Sequence, residues 1–231
     1  MRRETPGVRS LVLEVEGWPG HRAGQHVDIR LTAEDGYQAQ RSYSIASAPG
    51  RALIELTVEA VQGGEVSSYL IDEVGIGDRF ELRGPIGGFF VWSPSMLGPL
   101  VLIGGGSGIA PLMAMLRHRA QTGHPDPALL VYSSRSRGDI IYRDELERLA
   151  AADASLHITH ALTRERPAGW PGYARRIDGA MLAELNVAAL AKPNVYVCGP
   201  TGMVEAAARA LVALGLDAQR IRTERFGPSG G

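Results

Sequence analysis

A glycine-rich segment, VLIGGGSGIAP (Val101 to Pro111), has the residue types of a phosphate-binding turn. An apolar run leads into four glycines within five positions, and Pro111 fits the first turn of a following helix. Glycine lets the backbone approach a ligand closely, and the N–H groups at a helix start attract an anion. We therefore expect a pyrophosphate here, around Gly106; a tight structural turn is the alternative. Because Ile109 stands in place of the third glycine of G-x-G-x-x-G, the segment is a variant of that fingerprint.

Hydroxyl and guanidinium side chains follow the next two predicted strands. Ser134 and Arg135 come after the first of them, and Thr163 and Arg164 come after the second. In the common dinucleotide fold an acidic residue at this place holds the ribose 2′-hydroxyl, whereas guanidinium groups suit a 2′-phosphate. The pattern favours NADPH over NADH, with solvated surface charges as the alternative interpretation.

The single cysteine, Cys198, limits the redox chemistry available to this chain. One thiol forms no internal disulfide and cannot hold a four-cysteine iron–sulfur cluster. The six histidines have no metal-ligand spacing, so no bound metal is expected. If the protein carries electrons, we expect an organic cofactor to hold them. Gly199 and Pro200 follow the thiol; the alternative role for Cys198 is that of a small buried hydrophobe.

The first half of the sequence has the apolar pattern of short strands. Apolar runs alternate with Gly, Pro and Asp, which predicts strands at residues 8–15, 26–31, 53–61 and 79–82 and a helix at 66–74. A further strand is predicted to begin at Arg41. Many short strands with turn signals are typical of an antiparallel barrel or sandwich.

From residue 99 onward, continuous apolar runs alternate with helical patterns. Strands are predicted at 100–103, 128–132, 156–162 and 194–198, and helices at 111–121, 144–151 and 203–214. Strands that alternate with helices form a parallel α/β sheet. The sequence therefore predicts two domains, residues 1–97 and 98–231, joined near Pro94 and Gly98.

The composition is that of a folded protein without a bulk electrostatic partner. Of the 231 residues 45% are hydrophobic, and the net charge of −1 gives no sign of binding to nucleic acid. The N-terminal segment lacks the apolar core of a secretory signal, and no run of about 18 apolar residues predicts a membrane span. We expect a cytoplasmic protein, with a monomer as the favoured oligomeric state.

Three more motifs occur in a fixed order in the first half of the chain. They are Arg41-Ser42-Tyr43-Ser44, Gly63-Gly64-Glu65-Val66-Ser67 and Gly84-Pro85-Ile86-Gly87-Gly88-Phe89. Together with residues 23–27, 104–111 and 197–200, they give a chain that resembles the ferredoxin–NADP reductase family of flavoproteins over nearly its whole length. The resemblance implies an antiparallel β-barrel that binds flavin, followed by an α/β domain that binds a nicotinamide nucleotide.

The resemblance also implies flavin contacts in the first domain. Arg41 would pair with a flavin phosphate, and Tyr43 would lie against the isoalloxazine ring or the ribityl chain. Ser44 would hydrogen-bond near flavin N5 and is a candidate catalytic residue. Where family members often carry a basic pair, this chain has Val58-Glu59-Ala60, whose backbone could touch the flavin edge. The other implied flavin contacts are Ser42, Val58, Ala60, Gly63, Gly64, Val66, Ser67 and Ser68.

Implied contacts with the nicotinamide nucleotide lie in the second domain. Ser107 would lie near the nicotinamide, and Cys198 would approach the carbon that gives up hydride. Glu224 and Phe226 match a Glu-x-aromatic segment, in which the acid is a candidate catalytic residue and the aromatic ring covers the flavin. Tyr142 is a candidate platform for adenine or, equally, a core aromatic.

The implied reaction passes hydride from NAD(P)H to bound FAD and then electrons to a separate acceptor, such as a ferredoxin or an oxygenase or cytochrome component. FAD is favoured over FMN because Phe89, Phe90 and Trp92 could stack on its adenine. A separate acceptor is expected because the chain has neither the length nor the cysteines for a fused iron–sulfur domain. Two alternatives stay open: a stand-alone flavin or quinone reductase, and a non-catalytic nucleotide-sensing or electron-relay subunit.

Overall fold

The computed structural model describes residues 1–226. The first lobe of the molecule is built from antiparallel strands. These strands are β1 (Arg2–Thr5), β2 (Val8–Glu14), β3 (His26–Thr32), β4 (Gln38–Ser44), β5 (Leu53–Glu59) and β6 (Glu81–Ile86). They form two sheets of three strands each, in the orders β1-β2-β5 and β4-β3-β6. Alternate side chains, among them Leu11, Ile29 and Leu56, are buried in one apolar cluster between the sheets, as the period of two predicts.

The second lobe is a parallel sheet with helices between its strands. Its strands are β7 (Leu100–Gly105), β8 (Ala128–Ser134), β9 (Leu156–Leu162), β10 (Asn194–Pro200) and β11 (Ile221–Phe226), in the order β11-β10-β7-β8-β9. The helices are α2 (Ile109–Thr122), α3 (Arg143–Ala152), α4 (Gly179–Glu184) and α5 (Thr201–Ala213). The predicted fold class, an antiparallel lobe followed by a parallel α/β lobe, is confirmed.

Several boundaries differ from the sequence prediction. The helix predicted at 66–74 is a short α1 (Glu65–Ser68) followed by a π-helical turn, Tyr69–Glu73. The strand predicted to begin at Arg41 instead begins at Gln38 and ends at Ser44, because its first residues pair with β3 despite their polarity. Strands β1 and β11 and helix α4 were not predicted. The domain boundary at residues 97/98 lies between β6 and β7 and stays a prediction.

An apolar cluster joins the two lobes. Phe90 and Trp92, in the segment after β6, pack with Met113 and Met115 of α2 in one buried cluster. Gly24 makes this packing possible: its φ is +101°, and a Cβ there would collide with the backbone carbonyl of Phe90. The face of the barrel and the face of the α/β sheet are therefore held in contact by a shared core.

The described residues include neither a candidate membrane span nor a candidate metal site. Within residues 1–226, no helix is long and apolar enough to cross a membrane. Over the same range, no group of three or more His, Cys, Asp or Glu side chains is placed to hold a metal ion.

Candidate functional site

The last residues of β4 carry the first predicted motif. Arg41 is exposed, with its guanidinium donating to the carbonyl oxygen of Gln40 at 2.6 Å, and the hydroxyl of Ser42 donates to Asp28 Oδ1 at 2.6 Å. Tyr43 is half-buried, and burial raises its pKa to about 12, so its hydroxyl stays protonated. Ser44 is only 4% exposed, and its Oγ has no hydrogen-bond partner within residues 1–226.

The turn before α1 is closed by its own hydrogen bonds. Gly63 has φ +73°, and the N–H of Gly64 donates to the carbonyl oxygen of Val61 at 2.8 Å. Ser67 Oγ donates to the carbonyl oxygen of Gly64 and accepts from the N–H of Val61, both at 3.3 Å. In this conformation the Ser67 hydroxyl holds the turn together, so an anion would meet the backbone N–H groups at the start of α1. Val66 is buried and Ser68 half-buried in the same turn.

The glycine-rich turn links β7 to α2 through a short 3₁₀ segment, Gly106–Gly108. Gly106 has φ +54°, and its carbonyl oxygen accepts a hydrogen bond of 3.0 Å from the buried Tyr132 hydroxyl. A Cβ at Gly108 would lie 2.6 Å from the carbonyl carbon of Cys198. The glycines thus let this turn cross over β10, while Ile109 and Pro111 are buried in the start of α2.

Cys198 and Glu224 lie side by side in the sheet. They are paired in the register of β10 and β11, and Cys198 Sγ lies 4.0 Å from Glu224 Oε2. Cys198 is fully buried, and burial, with the Glu224 charge, raises its pKa well above the ordinary value. Burial also raises the pKa of Glu224 to about 7. At neutral pH the Glu224 carboxyl group can therefore carry a proton beside the protonated thiol of Cys198.

The predicted flavin-side and nicotinamide-side residues meet at Glu59. This residue ends β5 of the first lobe, between Val58 and Ala60, and its Oε2 accepts a hydrogen bond of 3.3 Å from the N–H of Ser107. Ser107 in turn belongs to the glycine-rich turn, beneath which Cys198 lies. The two predicted half-sites consequently meet where the lobes touch, which we call the cleft region.

The structure brings the predicted 2′-phosphate residues together. The N–H of Thr163 donates to the carbonyl oxygen of Ser134 at 3.0 Å. The N–H of Arg164 donates to the carbonyl oxygen of Arg135 at 2.8 Å. Both arginines are exposed, and the buried Ser134 Oγ lacks a hydrogen-bond partner in the described part of the chain. One carboxylate is close by, because Glu165 accepts from the backbone N–H of Arg137 at 2.6 Å.

Tyr142 lies apart from these residues, in the contact between the lobes. It is 3% exposed, its hydroxyl donates to Glu55 Oε1 at 2.8 Å and contacts Thr57 Oγ1, and the Arg117 guanidinium lies 4.8 Å from its ring centre. No face of the ring is open to an adenine, so the core-aromatic interpretation fits this place. Phe90 and Trp92 are likewise buried, which leaves Phe89, 66% exposed, as the accessible ring among the three.

The remaining predicted residues lie around the cleft. Phe226 is half-buried at the end of β11, paired in register with the exposed Pro200. Gly199 has φ +151°, and a Cβ there would approach Gly105 and Met203. Val58 is buried, and the N–H of Ala60 donates to the carbonyl oxygen of Gly7 at 2.8 Å. Ala60 therefore has only its carbonyl oxygen left for a ligand.

Sequence reasoning missed two sets of residues that shape this site. One is Glu59, which the sequence marks only as a departure from the family pattern. The other is the Arg117 network between the lobes, whose members are far apart in the sequence and give no local signal. An acidic residue at the end of an apolar strand, as in LTVE, is the one signal that could have indicated Glu59.

The residues present fit a flavin in one lobe and a dinucleotide in the other. A buried hydroxyl without a partner, as at Ser44 and Ser134, is costly unless a ligand completes its hydrogen bonding. Glycine is required at Gly64, since a Cβ there would lie only 2.5 Å from Ser67 Oγ, the hydroxyl that closes the turn before α1. These observations support cofactor binding at the cleft.

Comparison with known sequences identifies two family domains in this chain. Residues 8–91 match the oxidoreductase FAD-binding domain, and residues 102–209 match the oxidoreductase NAD-binding domain. The reductase component of propane 2-monooxygenase from Mycolicibacterium goodii is 33% identical over 190 residues, which cover 80% of this chain and 53% of that protein. NADH-cytochrome b5 reductase 1 from Lodderomyces elongisporus is 34% identical over 202 residues, 84% of this chain and 64% of that protein.

A solved structure agrees with these relatives. The FAD/NAD-binding domain of nitric oxide dioxygenase from Vibrio cholerae superposes with a TM-score of 0.86 at 27% identity, over 98% of this chain and 95% of that one. The chain spans about half the length of the first curated relatives that it matches, 53% of the Mycolicibacterium protein.

Proposed function

Because the chain belongs to the ferredoxin–NADP reductase family of flavoprotein oxidoreductases, we propose that it passes reducing equivalents from NAD(P)H through bound FAD to a separate electron acceptor. One observation carries this proposal: the Ser107–Glu59 contact joins the predicted nicotinamide turn to the strand end predicted to touch flavin. Two cofactors bound at these half-sites would share one cleft, as transfer between them requires.

Residues of the first lobe would bind and orient the flavin. The exposed guanidinium of Arg41 suits a phosphate, and the N–H groups at the start of α1 add a second anion contact. The Ser44 hydroxyl would donate to the polar edge of the ring. Held by these residues, a flavin would supply the chemistry of accepting hydride and of releasing electrons singly.

Residues of the second lobe would hold the nicotinamide. Cys198, neutral because burial raises its pKa, would provide a small apolar surface beside the ring. Glu224, with a pKa of about 7, can hold a proton on Oε2 next to that surface and release it near neutral pH. The Glu224 carboxylate would thus supply a place for a proton beside the nicotinamide.

The preference for NADPH is a finer part of the proposal. It is supported by Arg135 and Arg164, two exposed guanidinium groups whose backbones are hydrogen-bonded to each other at adjacent strand ends. A 2′-phosphate would be bound by charge-assisted hydrogen bonds from both. The Lodderomyces relative is named for NADH, so the choice between the nucleotides rests on these side chains and needs a direct measurement.

The acceptor is proposed from the relatives alone. One is named as the reductase component of an oxygenase and the other as a cytochrome b5 reductase, so an oxygenase component or a small electron-transfer protein fits this chain. Reduction of free FMN or a quinone as fast as of a protein acceptor would favour a stand-alone reductase instead.

The test is anaerobic rapid mixing of the FAD-loaded chain with NADPH or NADH. We expect loss of the oxidised-flavin absorbance at ~450 nm, and a faster loss with NADPH than with NADH. If the chain takes up no flavin, or if neither nucleotide reduces the bound flavin, the proposed function is wrong.

A further inference from the structure

Glu59 is a half-buried carboxylate without a cationic partner. Among residues 1–226, no Lys, Arg or His nitrogen forms a salt bridge with it, and its Oε2 accepts a hydrogen bond of 3.3 Å from the N–H of Ser107. Ionised side chains in such places are normally paired with an opposite charge. Here a backbone N–H of the other lobe takes that place.

The Ser107 N–H belongs to the turn that a nucleotide would use. It lies in the 3₁₀ segment that opens α2, where N–H groups are left without partners inside the helix. The carboxylate also lies against Gly106, because a Cβ built there would be 3.5 Å from Glu59 Oε2. Glu59 therefore occupies, with a negative charge, space that an anionic ligand of this turn would approach.

We propose that Glu59 competes with the nicotinamide nucleotide for the glycine-rich turn and so sets the nucleotide affinity of this chain. The inference rests on the proposed function, because it takes the turn as the nucleotide site. A bound nucleotide displaces the carboxylate from Ser107, and its phosphates then bind beside a like charge. Both effects weaken binding, and the second weakens it most at low ionic strength.

The sequence of the strand end makes this arrangement specific to Glu59. Its neighbours Val58 and Ala60 carry no charge, and Val58 is buried in the barrel core. Tyr132, on the second lobe, has a pKa raised mainly by burial and further by the charges of Glu59 and Asp139, so its hydroxyl is neutral.

The experiment measures the dissociation constants of NADP⁺ and NAD⁺ by calorimetry, on the FAD-loaded full chain. The variants are Glu59→Gln, which keeps the shape and removes the charge, and Glu59→Ala, which removes the contact as well. Glu14→Gln is the matched control: Glu14 is exposed at the opposite end of the β2–β5 pair, roughly 20 Å away by strand length.

We expect Glu59→Gln to bind both nucleotides about tenfold more tightly at low salt, and Glu59→Ala at least as tightly. The gain should shrink towards about twofold at ~1 M salt, because a charge effect is screened there. Glu14→Gln should match the parent chain. Equal or weaker binding by both Glu59 variants, with the parent chain binding normally, would refute the inference alone. If the parent chain and every variant failed to bind either nucleotide, the proposed function itself would be refuted.

Discussion

Arg117 of α2 donates a hydrogen bond of 2.9 Å to Glu55 of β5 and thereby ties the α/β lobe to the barrel. The same guanidinium holds Glu145 of α3 through two hydrogen bonds of 2.7 Å and donates to the carbonyl oxygen of Ala46 at 2.8 Å. The guanidinium also lies over the ring of Tyr142, whose hydroxyl donates a hydrogen bond to Glu55. One side chain therefore binds Glu55 and the Ala46 carbonyl across the interface between the lobes, and Glu145 within its own lobe.

Arg117→Met should destabilise the chain by about 3 kcal/mol, because it removes from two partly buried carboxylates, Glu55 and Glu145, the cation that lies closest to each. The free energy of unfolding in urea measures this. With Glu55→Gln in the same chain the loss should be smaller than the sum of the two single effects, since the pair interacts directly.

The exposed ion pair of Arg175 with Glu184 is the control for the Arg117 prediction. Both of its side chains are more than 40% exposed, and the nitrogen–oxygen distance is 2.8 Å. Arg175→Met should leave the unfolding free energy unchanged within error, because exposed pairs contribute little. A loss from Arg117→Met no larger than that from Arg175→Met would show that the interface does not depend on this network.

Ser44→Ala should separate flavin binding from folding. Since Ser44 Oγ is buried without a partner within residues 1–226, its removal should leave the stability of the flavin-free chain unchanged or slightly higher. The affinity for FAD should fall about fivefold to tenfold, because the variant lacks one hydrogen bond to the cofactor. Fluorescence titration of the flavin-free chain with FAD measures the affinity.

Ser47→Ala is the matched control for Ser44. Ser47 is also buried, but its Oγ accepts a hydrogen bond of 3.0 Å from the N–H of Glu55. Its loss should cost about 1 kcal/mol of stability and leave FAD affinity unchanged. If both variants changed stability and FAD affinity alike, Ser44 would be a structural residue only.

The parts of the site that the sequence predicted are those with a local signal. The glycine-rich turn follows a continuous apolar strand, and the Cys198-Gly-Pro segment ends another, so both could be placed at the end of a strand. Strand β11 gave no such signal, because its sequence, IRTERF, is mostly polar and Ile221 is the one buried residue among its six. It is a strand because it pairs along its whole length with β10.

The contacts between the lobes could not be predicted in this way. Tyr142 contacts Glu55, which is 87 residues away in the sequence, and Arg117 is 62 residues from the same carboxylate. Such contacts depend on how two finished lobes pack, and no periodicity in one segment reports them. For the same reason the position of Glu59 against Ser107 became visible only in the structure.

Glu224→Gln should change how stability depends on pH. Burial raises the pKa of Glu224 from 4.5 to about 7, so the folded chain holds this proton more tightly than the unfolded chain does. The stability contributed is fully present below pH 4.5 and is lost as the pH rises through about 7. Relative to the parent chain, Glu224→Gln should therefore gain up to about 3 kcal/mol between acidic and mildly alkaline pH.

Urea unfolding at a series of pH values checks this, with Glu145→Gln as a control of opposite sign. Burial alone would raise the pKa of Glu145. The hydrogen bond and the charge of Arg117 lower this pKa by more than burial raises it, so the net shift is downward. That variant should be least stable relative to the parent chain at neutral pH and recover as the pH falls. A Glu224→Gln difference that stays constant from pH 5 to about pH 8 would contradict the buried-carboxylate interpretation.

Arg164→Ala should raise the KM for NADPH about tenfold and leave that for NADH nearly unchanged, because only NADPH carries the 2′-phosphate. Steady-state kinetics with both nucleotides measures the two constants. Arg166→Ala, which removes an exposed arginine two residues farther on, should affect neither. Equal effects of Arg164→Ala on both nucleotides would remove the 2′-phosphate assignment.

Gly108→Ala tests whether the glycine-rich turn depends on its packing over β10. The added Cβ would lie 2.6 Å from the carbonyl carbon of Cys198 and 2.7 Å from Gly199 Cα. Both are backbone atoms of a central strand, so neither can move away cheaply. We expect a loss of about 2–4 kcal/mol in unfolding free energy, with weaker nucleotide binding because the turn must shift.

The same substitution at Gly202 is the control for Gly108. Gly202 is the second residue of α5, and a Cβ there meets no atom within 4 Å. Gly202→Ala should stabilise the chain by about 0.5–1 kcal/mol, since alanine favours the helix and nothing resists it. The same chemical change is thus expected to lower the unfolding free energy at Gly108 and to raise it at Gly202. If Gly108→Ala were as stable as Gly202→Ala, the turn would not be packed tightly against the Cys198 backbone. The glycine at this position would then serve the ligand alone.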